Sequence, residues 1–211
     1  MSNFRCVALD SLNKKKYKVT LEGMETVILS LYPSELRRFN IAEGEILSEA
    51  NYDELMSSLY KRGKERALYY LKTSDKTAFQ MRKKLKEGYY PENVIDMVME
   101  FLIKYGYIDD TRYVENYISY NRKRKSAINM KNDLSIKGVS RDIIDNVLSE
   151  CSDEREQDEE HIIEEYCRKR IKTDMDEKAL EKLMMSLLRK GFRYDLIKNT
   201  VRKIQEEINF E

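Results

Sequence analysis

"YGYIDDTRY", residues 105–113, joins two stretches of helical periodicity, and the way it is read decides the fold. Before it runs "YYPENVIDMVMEFLIKYG", a helix pattern entered at Pro91 and stopped at Gly106. After it runs "TRYVENYISYNRKRK", with Tyr113, Val114, Tyr117 and Ile118 on one stripe. Gly106 suits the left-handed position that closes a helix, and Tyr107 is then placed to pack back on Leu102. Asp109 and Asp110 stand where the next helix starts. A carboxylate there accepts from free backbone N–H groups and favours the positive end of the helix dipole. Adjacent acids can also hold a metal or move a proton, but no histidine, cysteine or further acid lies at ligand spacing nearby. Contact with a partner is the third possibility.

The join lies inside a repeat. With Leu85, Leu134 and Leu187 aligned, Met81, Met130 and Leu183 fall four residues before them. Val94–Ile95, Ile143–Ile144 and Leu196–Ile197 follow nine and ten residues later, and Leu102, Cys151 and Ile204 seventeen later. A turn glycine accompanies each copy: Gly88, Gly138 and Gly191, the first of them one place early. Such a pattern predicts tandem three-helix units, each with a modest core that leans on its neighbour. The expected divisions are 51–108, 109–152 and 153–211. Gly63 is expected to weaken or break the first helix of the first unit, and Ser74 to cap its second.

The first fifty residues differ. Tyr17, Val19 and Leu21 alternate with Lys18 and Thr20, the period of a half-buried strand. Residues 4–31 read as a small antiparallel sheet, and "PSELRRF" (33–39) as a short helix with Pro33 in its first turn. The fold class is therefore mainly α: three tandem three-helix repeats in an elongated array, preceded by a small β-rich module over residues 1–50.

Composition fits this reading. Charged residues make up 36% of the chain, and seven glycines and two prolines leave room for long helices. The net charge of +1 conceals an acidic block, residues 150–165, between basic regions. That block is read as a solvated helix face; the alternatives are that it repels nucleic acid or meets basic residues of a partner. Three cysteines, far apart, form no disulfide or zinc pattern, and no apolar run reaches the ~20 residues of a membrane span. A reducing, cytoplasmic setting without membrane association is expected.

Two motifs here resemble a known family. "GYIDDTRYVENYI" (106–118) resembles the Gly-Tyr-(Ile/Leu)-Asp-Asp-x-x-(Phe/Tyr) signature of RecX regulatory proteins, and "KGVSRDIIDNVL" (137–148) their second-unit motif. "RALYYLKTSDKTAFQMRKKLKEGY" (66–89) is similar to their first unit. The likeness runs from about Arg66 to Cys151 and, more weakly, through 157–208; Val114 stands where many members carry alanine. It implies three tandem three-helix repeats and a modulator, usually an inhibitor, of the RecA recombinase. Such a protein would act in recombination, DNA repair and the SOS response by binding in the groove of the RecA–single-stranded-DNA filament. The family offers no catalytic motif to carry over.

The residues themselves point away from catalysis. Phosphate loops, nucleophile elbows and paired helical histidines are absent from the sequence, and no metal or cofactor is expected. His161 sits in "DEREQDEEHIIEEY" and reads as a solvated helix residue. Cys151 and Cys167 read as core or near-core thiols without an activating context. The sharper candidates are basic: Arg122, Lys123, Arg124 and Lys125 in "NRKRKS", with Lys131 one helix later. Arg82, Lys83, Lys84 and Lys86 are taken to occupy the equivalent helix of the first unit. Cations at a helix end are favoured by the dipole and can simply face water. Their recurrence instead suggests a salt-sensitive, sequence-blind strip for phosphates or for acids of a protein filament. Tyr17, Tyr120 and Tyr194 can stack on bases. A monomer binding the RecA filament, and single-stranded DNA directly or through it, is the leading expectation. A nucleic-acid-binding repeat protein acting without RecA is the alternative.

Overall fold

The alternation at residues 17–21 places Val19 and Leu21 in a fully buried sheet face. The computed structural model describes residues 4–150, 152–172 and 175–210. Its first strands are β1 (Phe4–Asn13), β2 (Lys16–Glu22) and β3 (Thr26–Leu31), followed by the short helix α1 (Pro33–Arg38) and a two-residue strand, β4 (Ile46–Leu47). The sheet is antiparallel in the order β3-β2-β1-β4. β4 is too short for a periodic signal, and only its pairing with β1 defines it.

Nine helices follow among the described residues: α2 (Glu49–Thr73), α3 (Ala78–Glu87), α4 (Glu92–Lys104), α5 (Asp110–Asn121), α6 (Ala127–Ile136), α7 (Arg141–Glu150), α8 (Ser152–Arg168), α9 (Glu177–Arg189) and α10 (Tyr194–Phe210). They form three consecutive three-helix repeats. The chain divides into two compact units, Met1–Asp109 and Asp110–Glu211. The first joins the sheet and repeat one around a shared core that includes Leu29, Leu59, Leu85 and Leu102. The second holds repeats two and three, centred on Leu134 and Leu187 respectively. The three aligned leucines are fully buried, as the repeat alignment requires. Cys151, assigned to the core by alignment, lies outside the described residues.

Two local expectations are corrected. Gly63 does not break α2, which runs unbroken through it. A Cβ there would sit 3.0 Å from Val98 Cγ2, so glycine lets α4 approach α2 closely. Thr77, not Ser74, caps α3: its hydroxyl accepts from Gln80 N–H while Gln80 Oε1 accepts from Thr77 N–H, both at 3.2 Å, a reciprocal capping box. Ser74 instead closes α2.

The turn between second and third helices repeats bond for bond. Tyr90 N–H donates to Leu85 O at 3.2 Å, Val139 N–H to Leu134 O at 3.2 Å and Phe192 N–H to Leu187 O at 3.3 Å. The residue before each donor is left-handed: Gly138 at φ +80°, Gly191 at +76° and, in repeat one, Tyr89 at +55°. This resolves the glycine that falls one place early. Gly88 precedes the left-handed position, and a tyrosine occupies it.

At the 105–113 join, Gly106 has the expected φ of +68°. Tyr107 and Ile108 N–H both donate to Leu102 O, at 2.8 and 3.2 Å. The buried apolar side chain of this cap is Ile108; Tyr107 is exposed and its ring lies against Phe101, with centroids 5.8 Å apart. Asp110 opens α5, so the acidic pair stands at a helix start.

Candidate nucleic-acid interface

The nine basic candidates fall on two different kinds of element. Arg82, Lys83, Lys84 and Lys86 lie on α3, the second helix of repeat one. Arg122–Lys125 form the turn after α5, the first helix of repeat two. Their equivalence, expected from the sequence, does not hold. Only Lys131, on α6, occupies the place of Arg82, because α3 and α6 align through Leu85 and Leu134.

That one equivalence is occupied by structure. Arg82 Nη2 lies 2.6 Å from Asp96 Oδ1, and Lys131 Nζ lies 2.5 Å from Asp145 Oδ1. Each pair spans fourteen residues and ties the second helix of its repeat to the third. Arg82 also reaches Glu92 at 3.5 Å, Lys86 reaches Glu92 at 3.6 Å, and Lys84 pairs with Glu87 at 3.0 Å. Along α3, Lys83 is exposed and makes no ion pair among the described residues.

The α5–α6 turn sorts its cations similarly. Lys125 Nζ donates to Asp133 Oδ2 at 2.7 Å and to the Tyr117 hydroxyl at 3.1 Å. These bonds hold the Asp133 carboxyl below its ordinary range and raise the Lys125 ammonium above its own. Arg122 turns toward α8: Nη1 lies 2.5 Å from Glu154 Oε2, and Nε lies 3.0 Å from Asp158 Oδ2 without hydrogen-bond alignment. Lys123 and Arg124 stay exposed and make no ion pair among the described residues. The Arg124 guanidinium lies 5.2 Å from the ring of Tyr120, which is 71% exposed. Two uncommitted cations beside an open ring can bind a phosphate backbone and stack a base. Of the other tyrosines considered for stacking, Tyr194 is exposed and Tyr17 is half-buried in β2.

The acidic block acquires a definite role within repeats two and three. Besides the contacts to Arg122, Glu156 reaches Arg193 at 3.3 Å. Buried Glu159 accepts from Ala127 N–H at 2.6 Å, at the first turn of α6. Burial pushes the Glu159 carboxyl up, while the Ala127 N–H pulls it down. α8 thus presents carboxylates to the basic turn and helix start of the preceding repeat. His161 is exposed on the same helix. Burial pushes the Cys167 thiol up to about 11, and chiefly burial raises that of Cys6, which leaves neither a nucleophilic thiolate at neutral pH.

Sequence reasoning missed two sites in the first unit. Arg62 donates to Glu35 Oε2 and to Ser30 O, both at 2.5 Å, and lies over the Tyr32 and Tyr90 rings. It ties α2 to the sheet, and no local pattern announces a contact between residues so far apart in the chain. Tyr89 is the second; the early Gly88 was its only sequence signal.

Residues 64–102 match the family model described as RecX, first three-helix domain. The "Regulatory protein RecX" of Clostridium acetobutylicum is 34% identical over 169 residues, spanning 78% of this chain and 75% of that one. The "Regulatory protein RecX" of Clostridium botulinum strain Alaska E43 is 32% identical over 217 aligned positions, 100% of this chain and 99% of that one. A solved structure described as "Crystal structure of regulatory protein RecX" superposes with a TM-score of 0.62 at 21% identity, covering 93% of this chain and 99% of the other, a likeness of fold alone. Identity of this extent, running through the signature at the join and the repeats on both sides of it, places the chain in the RecX family of regulatory proteins.

Proposed function

We propose that this protein binds the RecA–single-stranded-DNA filament, in its groove, and restrains recombinase activity without catalysing a reaction. The observation that supports this most is the selective freedom of Lys123 and Arg124. The other cations of that turn are held by carboxylates of the chain itself, while these two face solvent beside an exposed Tyr120. Phosphates of a polyanion, or carboxylates of the filament protein, are their natural counterparts. Lys83, on α3 of repeat one, likewise makes no ion pair among the described residues. The protein acts as a monomer, and its repeats, with the boundaries set by the sequence alignment, are the binding units.

RecA ATP hydrolysis on single-stranded DNA, measured with and without the protein, tests the reading. A slowed rate, with tighter binding to RecA-coated than to bare DNA, is the expected result. Equal binding to bare DNA with no effect on RecA would overturn it in favour of a nucleic-acid-binding protein that needs no filament.

A further inference from the structure

β3 is an unusual edge strand. Natural sheets blunt their edges with charges, proline, bulges or extreme shortness. The other edge, β4, has two residues. β3, "TVILSL", has six, with no charge, no proline and an unbroken register against β2.

One end of that edge is already covered. Ser30 N–H donates to Tyr89 O at 3.1 Å, and Ser30 Oγ–H donates to Gly88 O at 2.8 Å. The Ser30 backbone therefore faces away from β2. Since hydrogen-bonding direction alternates along an antiparallel strand, Thr26 and Ile28 face the same way. Neither has a backbone partner on that side among the described residues.

Beside this open stretch lies a cavity of about 500 Å³ whose lining includes Lys18, Ile28, Lys86, Tyr89, Pro91 and Asn93. Ile28 is 43% exposed. Tyr89 forms part of the wall from a left-handed backbone, at the turn position that repeats two and three give to glycine. A bulky side chain at positive φ is strained, and strain of this kind concentrates where a side chain serves a site. The Lys18 ammonium lies 6.0 Å from its ring.

From this geometry we infer that the groove between β3 and Tyr89 binds an extended polypeptide segment, which adds to the sheet as a strand along Thr26–Ile28. The occupant is a segment of the filament's protein component, and to that extent the inference rests on the function proposed above. Unpaired peptide groups recognise another backbone. Charge then sets the sequence of the occupant. Lys18 is level with Ser30 in the register, and Glu25 adjoins Thr26; neither makes an ion pair among the described residues. Four residues of strand separate the two levels, roughly 13 Å. The segment that fits carries a carboxylate at the Lys18 end, a cation at the Glu25 end, and an apolar side chain between them against Ile28 and Tyr89. Glu25, at the same groove and without an ion pair among the described residues, opposes a phosphate backbone.

Hydrogen exchange of the full-length protein, free and bound to RecA filaments on oligo(dT), tests this together with Ile28→Lys and Tyr89→Gly. Exchange at the Thr26 and Ile28 amides should slow about tenfold or more in the complex. Each variant should weaken filament binding about tenfold. Tyr89→Gly restores the residue the turn favours, so it should melt no earlier than wild type, and its loss of binding cannot be assigned to unfolding. Slowed RecA ATP hydrolysis with unchanged exchange at Thr26 and Ile28, or with both variants binding as wild type, would overturn this inference and leave the filament reading intact. Absence of any filament binding would overturn both.

Discussion

A Cβ built on Gly191 would lie 2.8 Å from the Ser126 hydroxyl, so the turn between α9 and α10 closes directly against the cap of α6. Ser126 Oγ–H donates to Lys190 O at 2.7 Å, and the same oxygen accepts from Asn129 N–H at 3.3 Å. One buried hydroxyl thereby caps a helix of repeat two and holds the turn of repeat three.

Gly191→Ala should accordingly cost about 2–4 kcal/mol, combining left-handed strain with displacement of the Ser126 hydroxyl. Gly106→Ala carries the same kind of strain, at φ +68°, but its Cβ would meet nothing within 4 Å, so about 1–2 kcal/mol is expected there. Denaturant midpoints of the two variants against wild type decide this. Equal losses would show that the contact with Ser126 adds nothing.

Arg62→Ala should loosen the sheet from repeat one. Arg62 and Glu35 are 17% and 16% exposed, between the surface and interior regimes. Removal leaves the Glu35 carboxylate and Ser30 O without this donor, a loss of about 2–4 kcal/mol. Arg62→Lys should recover only part of it, since one ammonium cannot reproduce a planar fork reaching both acceptors. Denaturant dependence of amide exchange in β2 is the measurement, because a chain of two compact units need not unfold in one step. Full recovery by lysine would show that charge alone matters.

The helices were legible because each carries its own apolar period, and the repeat because Leu85, Leu134 and Leu187 anchor the same packing. What escaped was long-range. Gly63 looks like a helix breaker until Val98 is seen against it. Arg82 looks like a free cation until Asp96, fourteen residues on, closes on it. In a chain with 36% charged residues, local sequence reports where cations are, not which of them are already neutralised. Of the nine candidate cations, Lys83, Lys123 and Arg124 are the ones that no carboxylate of the described residues holds. The acidic block was legible as a charge run, but its engagement of Arg122, Arg193 and Ala127 N–H depends on how α8 packs.

Lys123→Ala with Arg124→Ala should lower the salt dependence of single-stranded-DNA or filament binding. Two lost phosphate contacts on single strands reduce the slope of log K against log salt by about 1.4. Arg82→Ala and Lys131→Ala should leave the slope nearly unchanged, because Asp96 and Asp145 already neutralise those side chains. Titrations between low and moderate salt, with helicity checked for each variant, make the comparison. A larger effect from Arg82 or Lys131 than from the turn pair would show that the intramolecular pairs open on binding.

Glu159 gives the packing of α8 on α6 a pH signature of unusual sign. Burial raises its carboxyl above the ordinary 4.5, with Arg155, Arg193 and the Ala127 N–H opposing the shift and Glu156 adding to it. The folded protein therefore holds this proton at pH values where the unfolded chain has released it. Stability from this group falls as pH rises from about 4.5 through the folded value, then levels off. Asp133, Glu164, Glu165 and Asp195 have lowered values and act in the opposite direction, so the total curve hides the effect. Glu159→Gln keeps an acceptor for Ala127 N–H and removes the titration. The stability of wild type minus that of Glu159→Gln should therefore decline between pH 4 and pH 7, by about 1.4 kcal/mol for each pH unit the folded value is raised. Denaturant midpoints of both proteins across that range measure it. A difference that stays flat or rises with pH would mean that the hydrogen bond and neighbouring arginines outweigh burial at this carboxylate.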